Sequence, residues 1–543
     1  MSGQPTISDD VEGQDAQGDV PAQTELGEIS DNFDETTYLR AFPDIAEAVR
    51  RGTMASGRAH FERSGRAEGR LDKPEYRQLR GIRREPMAPS VAIDALSISY
   101  GGAALMTGWT DDRDDALVEV TLETRAGTRH TWTAIPRLVR ADVERTLDAD
   151  EGHPFGFLLT AAPEMSTPRD TSVSHAAPSA ARSPVFTFAS GVRAVIQYHP
   201  VIMSDTELRD QALAALPIAA GDAEPEGIRA MLDQHAGAQI ATLNRLIVDH
   251  ARNRRIVERF GPALERPAAS VITTIRGGAD QIVPRLTLTA CGMGGNAFEF
   301  IFVVTDKEQF EPAMRAAQVA EQSLDATFTL ILQPEGDAAC ASDDVAMDIV
   351  RSNRLIFMDP SVFPRDPHWA FKHTTLLETA PELATRLMGG LLYHADGSLA
   401  HGGYYFARED VFLPRPDGLP RRTGTVHERR ITHPAPGAIA DRLAPRQVTA
   451  IPAAFMSVDR SWFEVLGGFT RRYSRASCED LDFCLRSLSR GITAWVHPLH
   501  MWYFERLPVP RPLPMRGGVI FNSWLFHRQW DELIASTPGQ AGI

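Results

Sequence analysis

Two adjacent acids, Glu479 and Asp480, are the strongest candidates for chemistry in this sequence. They stand directly before an amphipathic run in which Leu481, Leu485 and Leu488 recur at helical spacing. Acids in a first helical turn have two interpretations. They stabilise the helix dipole, by roughly 0.3–1 kcal/mol, or one of them is a general base held at a substrate crevice. The residue types alone leave both interpretations open.

Two further acids, Asp306 and Asp359, stand where predicted strands end. Ligands of open α/β sheets bind at the carboxyl ends of strands, so we expect both acids to face one crevice. The alternative is that they only begin loops, where Asp is common. From Ala269 onward strands alternate with helices, which predicts an α/β fold with a mostly parallel sheet and helices on both faces. The first four strands are predicted at 270–275, 298–305, 328–333 and 355–358.

Three blocks between residues 389 and 505 resemble, in this order, the second half of bacterial family 2 glycosyltransferases. The resemblance implies a GT-A fold. It also implies inverting transfer of a sugar from a nucleoside diphosphate sugar to a glycan or protein acceptor, as in polysaccharide biosynthesis. The matching residues are Leu391-Leu392-Tyr393, Asp396-Gly397 and His401-Gly402-Gly403, then Phe455-Met456, Asp459-Arg460 and Gly467-Gly468-Phe469, then Glu479-Asp480 and Cys484-Leu485-Arg486.

The resemblance also implies roles for single residues. Asp480, with Glu479 beside it, matches the acid that deprotonates the acceptor hydroxyl. Asp306 matches the acid that holds the nucleotide, and Thr274 stands where a proline usually ends the first strand. Asp359 matches the first acid of the motif that follows the fourth strand. We therefore expect Asp306, Thr274 and Asp359 to bind the nucleotide.

The metal motif is incomplete. Ser361 occupies the position of the metal-binding acid, and Phe504 stands where relatives often have a histidine. A hydroxyl is a poor substitute for a carboxylate on Mg²⁺ or Mn²⁺. We therefore expect any Mg²⁺ or Mn²⁺ to be weakly held, by Asp359.

Basic side chains are the alternative partners of a diphosphate. The candidates for phosphate or acceptor contact are Arg354, Arg365, Lys372 and His401. A second class of function also stays open, because fold does not imply function. The chain could be a catalytically degenerate scaffold or a glycan-binding protein with the transferase fold.

The composition limits the partners and the location. The net charge of −15 disfavours nucleic acid as a partner. The N-terminus lacks a signal-peptide pattern, and no apolar run approaches the roughly 20 residues of a membrane span. The four cysteines form no CxxC pair, which favours reduced thiols. We therefore expect a cytoplasmic protein, and a homo-oligomer stays open.

Length and composition predict several domains in the 543 residues. Residues 38–70 resemble a short module of bacterial surface-glycan proteins. His60 in this segment has two interpretations, a packed core histidine, which is favoured, and a ligand. Trp109 and Trp132, in the β-rich part, are better explained by core packing than by stacking on sugar. The predicted parts are a disordered tail at 1–34, a helical module at 35–85, a β-sandwich at 90–204, a helical linker at 205–266, a GT-A domain at 267–510 and an aromatic helix at 511–543.

Overall fold

The structure is a computed structural model that describes residues 33, 35–65, 77–78, 90–123, 129–147, 153–162, 183–222, 225–275, 278–290, 297–324, 326–333, 345–413, 421–432, 444–474, 477–504 and 512–536. The chain divides into two compact units, residues 1–74 and 75–543. The tail predicted at 1–34 lies outside the described residues, apart from Phe33.

The first unit is a small group of helices around a buried tyrosine. Tyr38, Ile45 and Phe61 form its core. The Tyr38 hydroxyl and His60 Nδ1 are hydrogen-bonded at 3.1 Å, and His60 is buried. The structure thus places His60 in the core, the interpretation that the sequence favoured. The helices are α1 (Glu35–Ala41), α2 (Pro43–Arg50) and α3 (Gly57–His60), followed by a π-helical turn (Phe61–Gly65).

The second unit begins with two five-stranded sheets that share one apolar core. Their strand orders are β1-β9-β8-β4-β5 and β10-β2-β3-β7-β6. The elements are β1 (Arg77–Gln78), β2 (Ser90–Ser99), β3 (Ala104–Asp111), β4 (Leu117–Glu123), β5 (Arg129–Trp132), β6 (Arg137–Leu138), α4 (Ala141–Thr146), β7 (Gly156–Ala161), β8 (Val185–Phe188), β9 (Arg193–Val195) and β10 (Val201–Met203).

Both tryptophans of this β-rich part pack against protein. Trp109 is buried with Val143 and Phe155. The indole N–H of Trp132 donates to the Thr160 carbonyl at 2.9 Å. These contacts favour core packing over a sugar-stacking role.

Helices follow, as the apolar spacing predicts, and then a strand that it does not predict. The helices are α5 (Asp205–Asp222), α6 (Pro225–Met231), a π-helical turn (Leu232–Ala236) and α7 (Gly237–Arg254). Strand β11 (Ile256–Phe260) pairs antiparallel with residues 328–332 at the edge of the large sheet. The segment predicted as a helical linker at 205–266 therefore also contains a strand. Most of β11 is exposed, so its sequence carries no apolar alternation, and backbone pairing alone reveals the strand.

The large sheet has the order β11-β14-β13-β12-β15-β22-β17-β23-β16, with β18 on β17 and β21 on β23. Besides β11, its strands are β12 (Ala269–Ile275), β13 (Phe298–Val304), β14 (Phe328–Leu332), β15 (Arg354–Met358), β16 (Val362–Pro364), β17 (Leu387–Tyr393), β18 (Leu399–His401), β21 (Arg446–Val448), β22 (Phe455–Asp459) and β23 (Ala494–Tyr503). The strands β19 (Tyr404–Leu413) and β20 (Arg421–Arg430) form a separate hairpin.

The four predicted strands are found within one residue at each end, but the sheet is mixed rather than mostly parallel. β12 to β15 pair parallel with one another, whereas β22 and β16 run antiparallel to their neighbours. The reason is the connection. The described chain between β17 and β22 carries strands, and a parallel connection needs a crossover, usually a helix.

Helices cover both faces of this sheet. They are α8 (Ile282–Ala290), α9 (Phe310–Ser323), α10 (Trp369–Thr379), α11 (Glu382–Thr385), α12 (Arg460–Val465), α13 (Glu479–Leu488) and α14 (Leu513–Ser536), with 3₁₀ turns at Ala279–Gln281 and Lys307–Gln309. One face of the sheet packs on α8, α9 and α10, and the other on α7, α13 and α14.

The C-terminal helix α14 lies against the rest of the second unit. Its large aromatic residues Phe521, Trp524 and Trp530 are buried. Gly517 is in close contact with the Leu213 carbonyl of α5, where a Cβ atom would lie 1.7 Å from the oxygen. Within the described residues, no helix combines the length and apolar character that crossing a bilayer requires.

Candidate active site

Three candidate residues lie at the carboxyl ends of the parallel strands, which form one edge of the sheet, called the carboxyl edge. Strand β12 lies between β13 and β15, and Thr274 is next to its last residue. Asp306 follows β13 and Asp359 follows β15, so they stand on either side of β12. Two strand spacings separate them, roughly 10 Å. The chain reverses its direction of progress across the sheet between β12 and β15, and such a switch point is where open α/β sheets bind ligands.

Asp306 is exposed at this edge. Its Oδ1 accepts a hydrogen bond from the Glu308 amide at 3.0 Å, which caps the following 3₁₀ turn. Thr274 is 8% exposed. Of the three side chains, that of Asp306 is therefore the most accessible to a ligand.

Asp359 is held inside a tight turn. Its Oδ1 accepts from the Ser361 amide at 2.8 Å and also from the Ser361 hydroxyl. The Arg285 guanidinium of α8 donates to the Val362 carbonyl at 2.9 Å and to the Pro360 carbonyl. Arg285 is 1% exposed. The pKa of Arg285 is lowered to about 10, because burial lowers it by more than the Asp359 carboxylate raises it. Arg285 therefore remains a cation at neutral pH.

The backbone of Ala453 and Ala454 links Asp480 to the same edge of the sheet. Its Oδ2 accepts from the Ala453 amide at 3.1 Å, and its Oδ1 from the Leu481 amide at 2.8 Å. The Asp359 amide donates to the Ala454 carbonyl at 2.9 Å. Asp480 and Asp359 therefore both bind one short backbone segment, and the start of α13 lies at the carboxyl edge of β15.

The residue before this helix has an uncommon backbone conformation. Cys478 has a φ of 68°, and it is the sole non-glycine residue with positive φ among those described. Such a conformation persists where surrounding contacts hold it. Asn522 of α14 supplies contacts of this kind, because it bonds the Ser474 amide at 2.8 Å, the Ser474 carbonyl at 2.7 Å and the Ser477 hydroxyl at 2.9 Å.

The other acids of α13 are buried. Glu479 is 7% exposed, so its side chain is less accessible to a substrate than that of the half-buried Asp480. Asp482 is fully buried. Its Oδ2 accepts from Arg486 at 2.8 Å and Thr470 at 2.6 Å, and its Oδ1 from the indole N–H of Trp530 at 2.9 Å. Asp482 thus joins α13 to the C-terminal helix.

Two of the predicted basic contacts are buried against protein atoms. Arg354 begins β15 at the opposite end of the strand from Asp359. Its guanidinium is buried on Ser457, with Nε to Oγ at 2.7 Å and Nη2 to the carbonyl at 2.9 Å. His401 is 3% exposed and its Nδ1 accepts from the Gly403 amide at 3.1 Å. We therefore remove Arg354 and His401 from the phosphate and acceptor candidates.

The burial of His401 makes stability depend on pH. Burial lowers the pKa of His401 to about 3, from 6.5. Between pH 6.5 and about pH 3 the unfolded chain therefore binds a proton at His401 that the folded chain does not bind. The contribution of His401 to the free energy of unfolding is fully present above pH 6.5 and decreases as the pH falls to about 3. At pH 5 the loss from His401 alone is about 2 kcal/mol. Burial also lowers the pKa of His373 and His497, which adds to the loss.

Urea unfolding at pH 7.5 and pH 5 measures this effect. We expect His401→Gln to lose less free energy of unfolding than the parent protein when the pH falls, whatever its stability at pH 7.5. An equal loss in both proteins contradicts the role of His401.

The other two basic candidates are exposed. Arg365 follows β16, and its guanidinium lies over the rings of Tyr393 and Trp502, 5.1 and 4.8 Å from their centroids. Tyr393 ends β17, which is parallel to β15 through β22, so this cation stands near the same edge. Lys372 of α10 pairs with Asp366. Arg365 is thus the better placed of the two for a phosphate.

The donor set at Asp359 does not fit a tightly held Mg²⁺ or Mn²⁺. One carboxylate is present, one of its oxygens already accepts two hydrogen bonds, and Ser361 adds no charge. The Arg285 cation acts on the same carboxylate. In the part of the chain that the structure describes, no group of three or more His, Cys, Asp or Glu side chains could hold a metal.

Sequence reasoning missed Arg285 and Asn522. Both had a signal. Arg285 stands on the apolar stripe of its helix, where Ile282, Leu286 and Ala290 are also buried, and a charged residue in such a stripe needs a partner. Asn522 likewise follows the buried Phe521 in an aromatic helix. The pattern shows that each needs a partner, but the partner is distant in the sequence.

No protein-family model and no curated protein matches this chain. Among solved structures, the chain is similar to GalNAc-T7 in complex with UDP, GalNAc and Mn²⁺, at 11% identity and a TM-score of 0.32, over 49% of this chain and 51% of that one. The chain thus spans about half of that structure. It is also similar to the mannosyltransferase PcManGT from Pyrobaculum calidifontis in complex with GDP-Man and Mn²⁺, at 15% identity and a TM-score of 0.33, over 60% of this chain and 77% of that one.

Proposed function

We propose that this protein is a glycosyltransferase that moves a sugar from a nucleoside diphosphate sugar to a glycan or protein acceptor with inversion. The observation that carries the proposal is the shared Ala453–Ala454 backbone segment, which holds Asp480 beside the carboxyl edge of the parallel strands. The three matching sequence blocks support it, because Asp480 belongs to the third of them.

Each group has a role in the reaction. Asp480 takes the proton of the acceptor hydroxyl as the acceptor oxygen attacks the anomeric carbon. The bond from that carbon to the donor phosphate breaks, and the nucleoside diphosphate leaves with the bonding electrons. Asp306 hydrogen-bonds the nucleoside, and the exposed Arg365 offsets the charge that develops on the diphosphate.

The role of Asp306 is tested by nucleotide affinity. We expect Asp306→Ala to weaken binding by about 1–3 kcal/mol, the cost of losing a hydrogen bond to a polar partner. Calorimetry with UDP, GDP and dTDP measures it, with Glu311→Gln, an exposed acid of α9, as control. Unchanged affinity in Asp306→Ala contradicts the assignment.

A second candidate function is a catalytically degenerate scaffold or glycan-binding protein. The observation in its favour is the incomplete donor set at Asp359 and Ser361. A thermal-shift screen of nucleotide sugars with Mn²⁺ or with EDTA separates the two, since a ligand of the native state raises its stability. Binding followed by turnover supports the enzyme. Failure of every donor to bind supports the scaffold.

A further inference from the structure

The loop after β15 is built around a buried cation. The Arg285 guanidinium reaches from α8 into this loop and bonds the carbonyls of Pro360 and Val362, one on each side of Ser361. The guanidinium carbon also lies 4.4 Å from the centroid of the Phe363 ring. Three successive parts of the loop therefore depend on one side chain that is 1% exposed.

A buried guanidinium needs a compensating negative charge, because an isolated buried ion costs several kcal/mol. Asp359 directly precedes Pro360, whose carbonyl accepts from Arg285, so its carboxylate lies in the turn that the guanidinium enters, and its charge acts on Arg285. The Ser361 amide and hydroxyl both donate to the same Asp359 oxygen and so hold the carboxylate in the turn. The carboxylate of the loop and the Arg285 cation of α8 are therefore held in the same buried turn.

We propose that Arg285 is the permanent counter-cation of Asp359, and that Asp359 is a structural partner of Arg285 rather than a ligand of a metal or a nucleotide. The proposal changes the role that the sequence motif suggests for Asp359. An uncompensated carboxylate here would repel a diphosphate, and a divalent cation would be one way to remove that repulsion. Arg285 removes it from within the fold, which leaves diphosphate binding independent of metal and dependent on Arg365.

A double-mutant cycle tests the pairing without any ligand. Arg285→Met removes the charge at similar length, and Asp359→Asn removes the opposite charge while keeping an oxygen for Ser361. We expect Asp359→Asn to lower the Tm of the parent by several degrees, and to change it much less in the Arg285→Met background. Asp306→Asn, at the same edge but exposed, is the matched control and should be additive with Arg285→Met. Additivity of Asp359→Asn with Arg285→Met overturns the proposal.

A second background covers the case in which Arg285→Met does not fold. Arg285→Lys keeps the charge but loses the paired hydrogen bonds, so Asp359→Asn should still lower the Tm there. The proposal is also overturned if Asp359→Asn leaves the Tm unchanged in the parent protein and in the Arg285→Lys background.

Ligand binding tests the functional consequence, which rests on the proposed function. Titration with Mn²⁺ alone should show no saturable site in the parent protein. UDP, GDP or dTDP should bind equally well in Mn²⁺ and in EDTA, and Asp359→Asn should leave that affinity unchanged. Binding that requires Mn²⁺ and is lost in Asp359→Asn overturns this inference while leaving the transferase proposal intact. A protein that binds no nucleotide overturns the transferase proposal, and the stability cycle still decides the pairing.

Discussion

Replacing Asp480 with asparagine is expected to lower kcat by about 10²- to 10⁴-fold, the usual contribution of a general base. Asparagine cannot accept the acceptor's proton at neutral pH. It keeps one of the two oxygens that accept from the Ala453 and Leu481 amides, at 3.1 and 2.8 Å, so one of these hydrogen bonds is retained. The measurement is the steady-state rate with the donor found by the screen, together with the Tm of each variant.

The control for this experiment is Glu311→Gln, an exposed acid in the first turn of α9 that pairs with Arg315. We expect its kcat and Tm to match those of the parent. An Asp480→Asn variant with the parent's kcat shows that the base lies elsewhere. An inactive variant with a much lower Tm would instead reveal a structural role for Asp480.

Replacing Asp482 with alanine is expected to destabilise the second unit by about 3–5 kcal/mol, because it removes one partner of a buried ion pair. Asp482 is fully buried, and the change leaves Arg486, Thr470 and the Trp530 indole without their shared acceptor. Asp482→Asn, which keeps an oxygen, should cost less. Urea unfolding followed by tryptophan fluorescence measures both variants.

Asp233, in the π-helical turn Leu232–Ala236, provides a matched control because it bonds to the same C-terminal helix. It accepts from the Trp524 indole at 3.0 Å and pairs with Arg528, so it repeats the partner types of Asp482. Its side chain, however, is 40% exposed. We expect Asp233→Ala to cost at most about 1 kcal/mol, as exposed ion pairs do. Equal losses at the two positions would show that burial is not what makes Asp482 important.

Local sequence patterns predict much of the large sheet. Most residues of strands β12 to β15 are apolar, and all of them are buried, which is the pattern of a strand covered on both faces. The start of α13 is predicted by its acids and its apolar spacing. The edge strand β11 is not, because a mostly exposed strand is recognisable only by the neighbour that it pairs with.

Candidate site residues divide in the same way. The positions of Asp306 and Asp359 could be predicted because each acid directly follows a strand that its local sequence pattern reveals. The exclusion of Arg354 and His401 does not, because their burial results from contacts with Ser457 and with the Gly403 amide in the folded chain.

By itself, the sequence determined the types of the catalytic candidates, their order along the chain and the parallel strands that carry Asp306 and Asp359. The tertiary structure alone decided which of these groups share an environment. It joins Asp480 to Asp359 through Ala453–Ala454 and inserts Arg285 beneath the same loop. The physical reason is that periodicity and turn signals are local, whereas the partner of a buried charge is chosen by packing between elements that are far apart in the chain.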